Sequence, residues 1–84
     1  LDILRMSEMP LLAIEILSPK QGMDDVLAKF QAYFALGVKS CWLVTPALEA
    51  VTVYSSLDNF KIFGKNGEVV DEVLGISVPL AKIF

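Results

Sequence analysis

The sequence predicts an α/β domain in which a βαβ unit is followed by antiparallel hairpins. Three observations predict it. The run PLLAIEIL at residues 10–17 is apolar at nearly every position, residues 24–36 repeat apolar groups at helical spacing, and a second apolar run, CWLVT, follows at residues 41–45. Strand, helix and strand in that order make a parallel crossover unit, for which a right-handed connection is the rule.

The first run is apolar on both alternating faces except at Glu15, which predicts a strand buried on both sides, as in parallel sheets. Ser18 and Pro19 break it. In the next segment Val26, Leu27, Phe30 and Phe34 share one face at about 100° per residue, with Tyr33 on its flank. Asp24 and Asp25 occupy the first turn, where negative charge complements the helix dipole. Gly37 is placed to close the helix. The second strand ends at Pro46, and its Trp42 is expected on a strand beside or near that of Glu15. Val51 to Tyr54 then alternates, Leu57-Asp58-Asn59 turns, and Phe60 to Phe63 returns. Asn66-Gly67 is the strongest hairpin signal, because both residues tolerate positive φ. It predicts pairing between residues 60–64 and 68–73. Residues 76–84 read as a short extended piece and one helical turn. No repeat, low-complexity segment or linker is visible, so residues 1–84 form a single domain.

Composition narrows the function. With 84 residues, 55% of them hydrophobic, and a mean hydropathy of +0.60, the chain is unusually apolar for so small a core. No run approaches the roughly 18 uncharged residues of a membrane span. The expectation is instead a partial domain whose core is completed by a partner or by sequence upstream of Leu1. A net charge of −3 with no His argues against a simple nucleic-acid-binding module, which needs clustered Lys and Arg. A single Cys41 cannot form an internal disulfide, and no secretory signal precedes it, which together predict a reduced, cytoplasmic setting.

Glu15 is the residue that does not fit its surroundings. A carboxylate amid Leu12, Ala13, Ile14, Ile16 and Leu17 is costly to bury unless a cation accompanies it. The competing explanations are an ordinary ion pair or an exposed strand end. Lys29 lies at the margin of the helix's buried face, beside Tyr33, from where its ammonium can reach the end of the first strand; alone, it reads as a stem lying along the sheet with a wet charge. Gln31 sits at the opposite margin. Lys20 and Ser18 belong to the strand-to-helix loop, where α/β sheets commonly bind ligands. Ser18 lacks a His base and a nucleophile elbow. Asp2 is a conceivable second carboxylate. Trp42, Tyr33 and the five Phe read as core.

The segments PLLAIEILSP (residues 10–19) and GVKSCWLVTP (residues 37–46), with Lys29 and Tyr33 between them, resemble the Uma-type restriction endonucleases of the PD-(D/E)XK nuclease superfamily. The likeness runs from Met9 to the end. It implies a restriction-endonuclease-like core whose N-terminal strands are missing from this sequence, and a phosphodiesterase acting on DNA with Mg²⁺ or Mn²⁺. It makes Glu15 a metal ligand and catalytic residue, the carbonyl of Ile16 a second ligand, and Lys29 the catalytic lysine, since the superfamily's usual position two residues after the Glu holds Leu17. The Pro-Asp strand with the other acidic ligand is absent, and Leu11 stands where many relatives have an Asp after Pro10. One carboxylate holds Mg²⁺ poorly, so whether the N-terminal half is left out of this sequence or the copy is decayed, weak or no activity is expected for these residues alone. The alternative function is a non-catalytic domain that dimerises through an exposed apolar edge; either reading implies a homodimer and no membrane.

Overall fold

The computed structural model describes residues 11–84. Leu12–Ile16 form strand β1, Met23–Ala35 helix α1, and Ser40–Thr45 strand β2. A turn of 3-10 helix follows, then Ala50–Ser56 as β3, Asn59–Gly64 as β4, Glu68–Asp71 as β5 and Ile76–Pro79 as β6, and Leu80–Lys82 close as a second 3-10 turn. The expected βαβ unit is present, since β1 and β2 pair in parallel with Glu15 opposite Leu43 and Ile14 opposite Trp42. β3 and β4 extend the sheet antiparallel in the order β1-β2-β3-β4.

Side chains alternate across β2, and the two faces have different covers. On one face Ala13, Cys41, Leu43 and Tyr54 pack with Val38 and with Val26 and Phe30 of α1. On the other, Trp42, Val44, Val51 and Val53 pack with Val69 of β5 and Leu80. Among the described residues no helix is long and apolar enough to cross a membrane.

Helix α1 starts and stops for local reasons. Asp24 and Asp25 lie in its first turn. At its end the amide of Gly37 donates to the carbonyl of Phe34, and that of Val38 to Tyr33, both at 3.0 Å. These bonds satisfy the last carbonyls and need the left-handed backbone of Gly37, at φ 103°.

Three expectations are corrected. β1 is not buried on both sides: Ala13 is buried, but Ile14 and Ile16 are 39% and 64% exposed. The reason is its place as the outer strand of the described sheet, where the cover from β5 and β6 reaches Leu12 but leaves Ile14 and Ile16 exposed. Secondly, Asn66-Gly67 does not join β4 to β5 in one ladder. β5 pairs antiparallel with β6 as a separate sheet, and the positive φ angles fall one residue earlier, at Lys65 and Asn66. The chain thereby leaves the plane of the first sheet, and Gly67 passes so close to Gly64 that a Cβ would sit 3.4 Å from the Gly64 carbonyl oxygen. Thirdly, Phe60 and Phe84 are largely exposed. Phe60 lies against Tyr54, centroids 5.1 Å apart, on the outer strand β4 of the described sheet.

Candidate functional site

Glu15 projects from β1 on the same side as Ala13 and Leu17, toward α1. Lys29 lies in the second turn of that helix, and its Nζ donates to Glu15 Oε1 at 3.1 Å. The Glu15 side chain is 13% exposed and that of Lys29 48% exposed. The carboxylate is thus nearly enclosed while its cation reaches it from the solvent side. The helix supplies this arrangement: Val26 and Phe30 anchor one face in the core, and Lys29, next to Phe30, is carried to the margin over the strand end.

Neighbouring groups feel the Glu15 charge. The hydrogen bond and charge of Glu15 raise the Lys29 pKa further above that of an ordinary lysine, so the amine is an ammonium at neutral pH. Burial, then the Glu15 charge, pushes the Tyr33 phenol upward. Burial and the same charge push the Cys41 thiol up to about 12. Cys41 is fully buried and remains a thiol, which makes it a packing residue and not a nucleophile.

Among the described residues the outer backbone edge beside Glu15 has no pairing strand. The Leu11 carbonyl accepts from the Ser40 amide and the Leu17 amide donates to the Val44 carbonyl. Odd residues of β1 therefore bond toward β2, and the alternation aims the amides and carbonyls of Leu12, Ile14 and Ile16 at the other edge. Among the described residues no strand pairs with that edge. The Ile16 carbonyl and the Glu15 carboxylate are hard oxygen donors at one strand end, the donor type a small divalent cation takes. Among the described residues no three His, Cys, Asp or Glu side chains converge into a metal-binding group, and Asp2 lies outside those residues.

The other candidates are not drawn to this point. Ser18 and Lys20 are exposed in the β1–α1 loop, where the Ser18 carbonyl accepts from the Gln21 amide at 3.1 Å to form a turn. Gln31 is exposed on the far side of α1.

The sequence reading missed Asp71. It is 1% exposed and lies on the opposite side of the sheet. Trp42 Nε1 donates to its Oδ2 at 2.8 Å, and the Leu74 amide donates to its Oδ1 at 2.9 Å. Burial opposes its charge, but bonds from Trp42, the Leu74 amide and nearby groups outweigh that, holding its pKa below the usual carboxylate value. The available signal was the two-residue period of β5, which puts Asp71 on the same side as Val69.

Comparison with known proteins bears on the fold and the family. A family model described as "Uma2: Putative restriction endonuclease" matches residues 2–80. No match is found among curated proteins. Among solved structures the chain is similar to a crystal structure described as a putative nuclease belonging to DUF820 from Anabaena variabilis, with a TM-score of 0.72 and 24% identity. The alignment covers 87% of this chain and 42% of that one, so the chain spans less than half the length of its solved relative. The parallel β1–α1–β2 unit with antiparallel strands beyond it is thus a nuclease-like fold, and by the match over residues 2–80 the chain belongs to the Uma2 family of putative restriction endonucleases.

Proposed function

We propose that Glu15 and Lys29 are part of the active site of a metal-dependent endonuclease that hydrolyses phosphodiester bonds in DNA. The observation that carries this reading is the ammonium of Lys29 seated 3.1 Å from a nearly enclosed carboxylate near the end of β1. The donors present fit one side of a divalent ion: Glu15 through its carboxylate and Ile16 through its carbonyl would hold Mg²⁺ or Mn²⁺. When bound, such an ion neutralises phosphate charge and lowers the pKa of its water.

The chain's own residues have separable tasks. As an ammonium at neutral pH, Lys29 is suited to donate to a phosphate oxygen and to stabilise charge developing there, and unsuited as a general base. With no His in the sequence and Cys41 held as a thiol, neither an imidazole nor a thiolate of this chain attacks the phosphate. A net charge of −3 leaves DNA attraction to the bound ion and to local lysines.

The test is nicking of supercoiled plasmid by the full-length protein in Mg²⁺ or Mn²⁺. Glu15→Ala is expected to abolish it, and Lys29→Met to slow it by about 10²–10³-fold, the usual cost of removing one charge-stabilising donor. Cleavage by Glu15→Ala at the parental rate would refute the assignment.

A second reading is favoured by one observation. Ile14 and Ile16 expose apolar surface on one face of β1, the outer strand of the described sheet, which suits association with a second copy into a homodimer. Dimerisation is compatible with catalysis, and it also describes a non-catalytic domain that keeps the fold.

A further inference from the structure

We propose that Lys29 is a displaceable cation that rests on Glu15 until a divalent ion takes the carboxylate, and that Asp25, one helical turn earlier, is the positioning residue that receives it. This rests on the reading of Glu15 as a metal ligand and adds a step that the reading does not contain.

Three features support it. The Lys29 ammonium lies 3.1 Å from Glu15 Oε1, so an ion bound at that oxygen and the ammonium compete for one place. A nearly enclosed carboxylate without a cation is unfavourable, and Lys29 supplies one for as long as no metal does. The lysine is also free to leave: its side chain is 48% exposed, on a flexible stem whose three donors rotate.

Its destination is built into α1. Asp25 precedes Lys29 by four residues, the spacing that makes side chains neighbours on a helix surface, and an acid before a base is the favourable order. Both are exposed on α1. Asp24, one residue earlier in the same turn, is rotated about 100° away and does not share that position. Lys29 therefore has one carboxylate partner in place, Glu15, and a second at the i,i+4 spacing, Asp25, that the metal does not share. Movement from Glu15 to Asp25 opens the metal site and leaves the ammonium beside it, free to meet a phosphate.

The experiment is Mn²⁺ binding to the full-length protein without DNA, followed by calorimetry or by the loss of the free-ion electron paramagnetic resonance signal. Lys29→Gln is expected to bind Mn²⁺ about two- to fivefold more tightly than the parent, the worth of a partly exposed ion pair. Lys29→Arg keeps the competitor and is expected to stay near parental affinity. Asp25→Asn is expected to bind about twofold more weakly, and Asp24→Asn, an equal change in charge, to bind like the parent. Circular dichroism melts in EDTA check that each variant is folded. Unchanged affinity in Lys29→Gln overturns the displacement, and equal effects of Asp25→Asn and Asp24→Asn overturn the role of Asp25. Failure of the underlying metal site has a different signature, namely Mn²⁺ binding by Glu15→Gln equal to that of the parent.

Discussion

Two carboxylates, Glu15 and Asp71, lie out of open solvent for different reasons. Glu15 is met by the half-exposed ammonium of Lys29. Asp71 is met by fixed donors, the Trp42 indole and the Leu74 amide, and ties the β5–β6 sheet to the centre of the main one. Because its folded pKa lies below the unfolded value, the stabilisation is complete above the ordinary carboxylate range and is lost as pH falls through the folded value. Asp71→Asn is expected to cost about 1–3 kcal/mol at pH 7, as for a hydrogen bond to a charged group. Its melting temperature is also expected to fall less than the parent's between pH 7 and pH 3. Parallel curves for the two proteins would remove Asp71 from the acid response. Glu15 was legible in the sequence because a lone charge interrupts seven residues of hydrocarbon. Asp71 was not, because VVDE reads equally well as a strand running into a wet turn, and its partner Trp42 lies 29 residues away.

The elements themselves follow from local chemistry, and α1 shows how far that reaches. Its apolar spacing, its acidic first turn and Gly37 marked both ends to within a residue. Gly37 adopts φ 103° with no atom within 4 Å of a notional Cβ, so a substitution there meets only backbone strain. Gly37→Ala is expected to destabilise the protein by about 1–2 kcal/mol, a fall of several degrees in melting temperature for a domain of this size. An unchanged melting temperature would show that the closure tolerates a side chain. The turn near Asn66-Gly67 marks the limit of local reasoning. Its composition announced a reversal, but left-handed residues at Lys65 and Asn66 redirect β5 out of the sheet, where Val69 and Asp71 find partners on Leu80 and Trp42. Which strand β5 pairs with is decided by that burial and not by the turn.

At the scale of the molecule the main sheet is covered unevenly. One face has α1 and the other has the β5–β6 sheet, while β1 lies at the margin of both, exposing Ile14 and Ile16. Apolar side chains along an open edge favour association. Residues 1–84 are expected to sediment as a dimer or larger at micromolar concentration, and Ile16→Lys to shift them toward monomer. A monomer in the unmodified chain at all concentrations would rule out the edge as an interface.

The sequence by itself determined the order and kind of the elements, the closure of α1 and the identity of Glu15 as the anomalous residue. Each depends on groups within a few residues of one another, whose spacing and backbone preferences are properties of the chain. Tertiary structure alone decided that β1 is the outer strand of the described sheet with Ile14 and Ile16 exposed, that Lys29 crosses 14 residues of sequence to meet Glu15, and that Asp71 is interior. These depend on which surface covers which, because burial and electrostatic pairing are set by neighbours in space that a linear pattern does not specify.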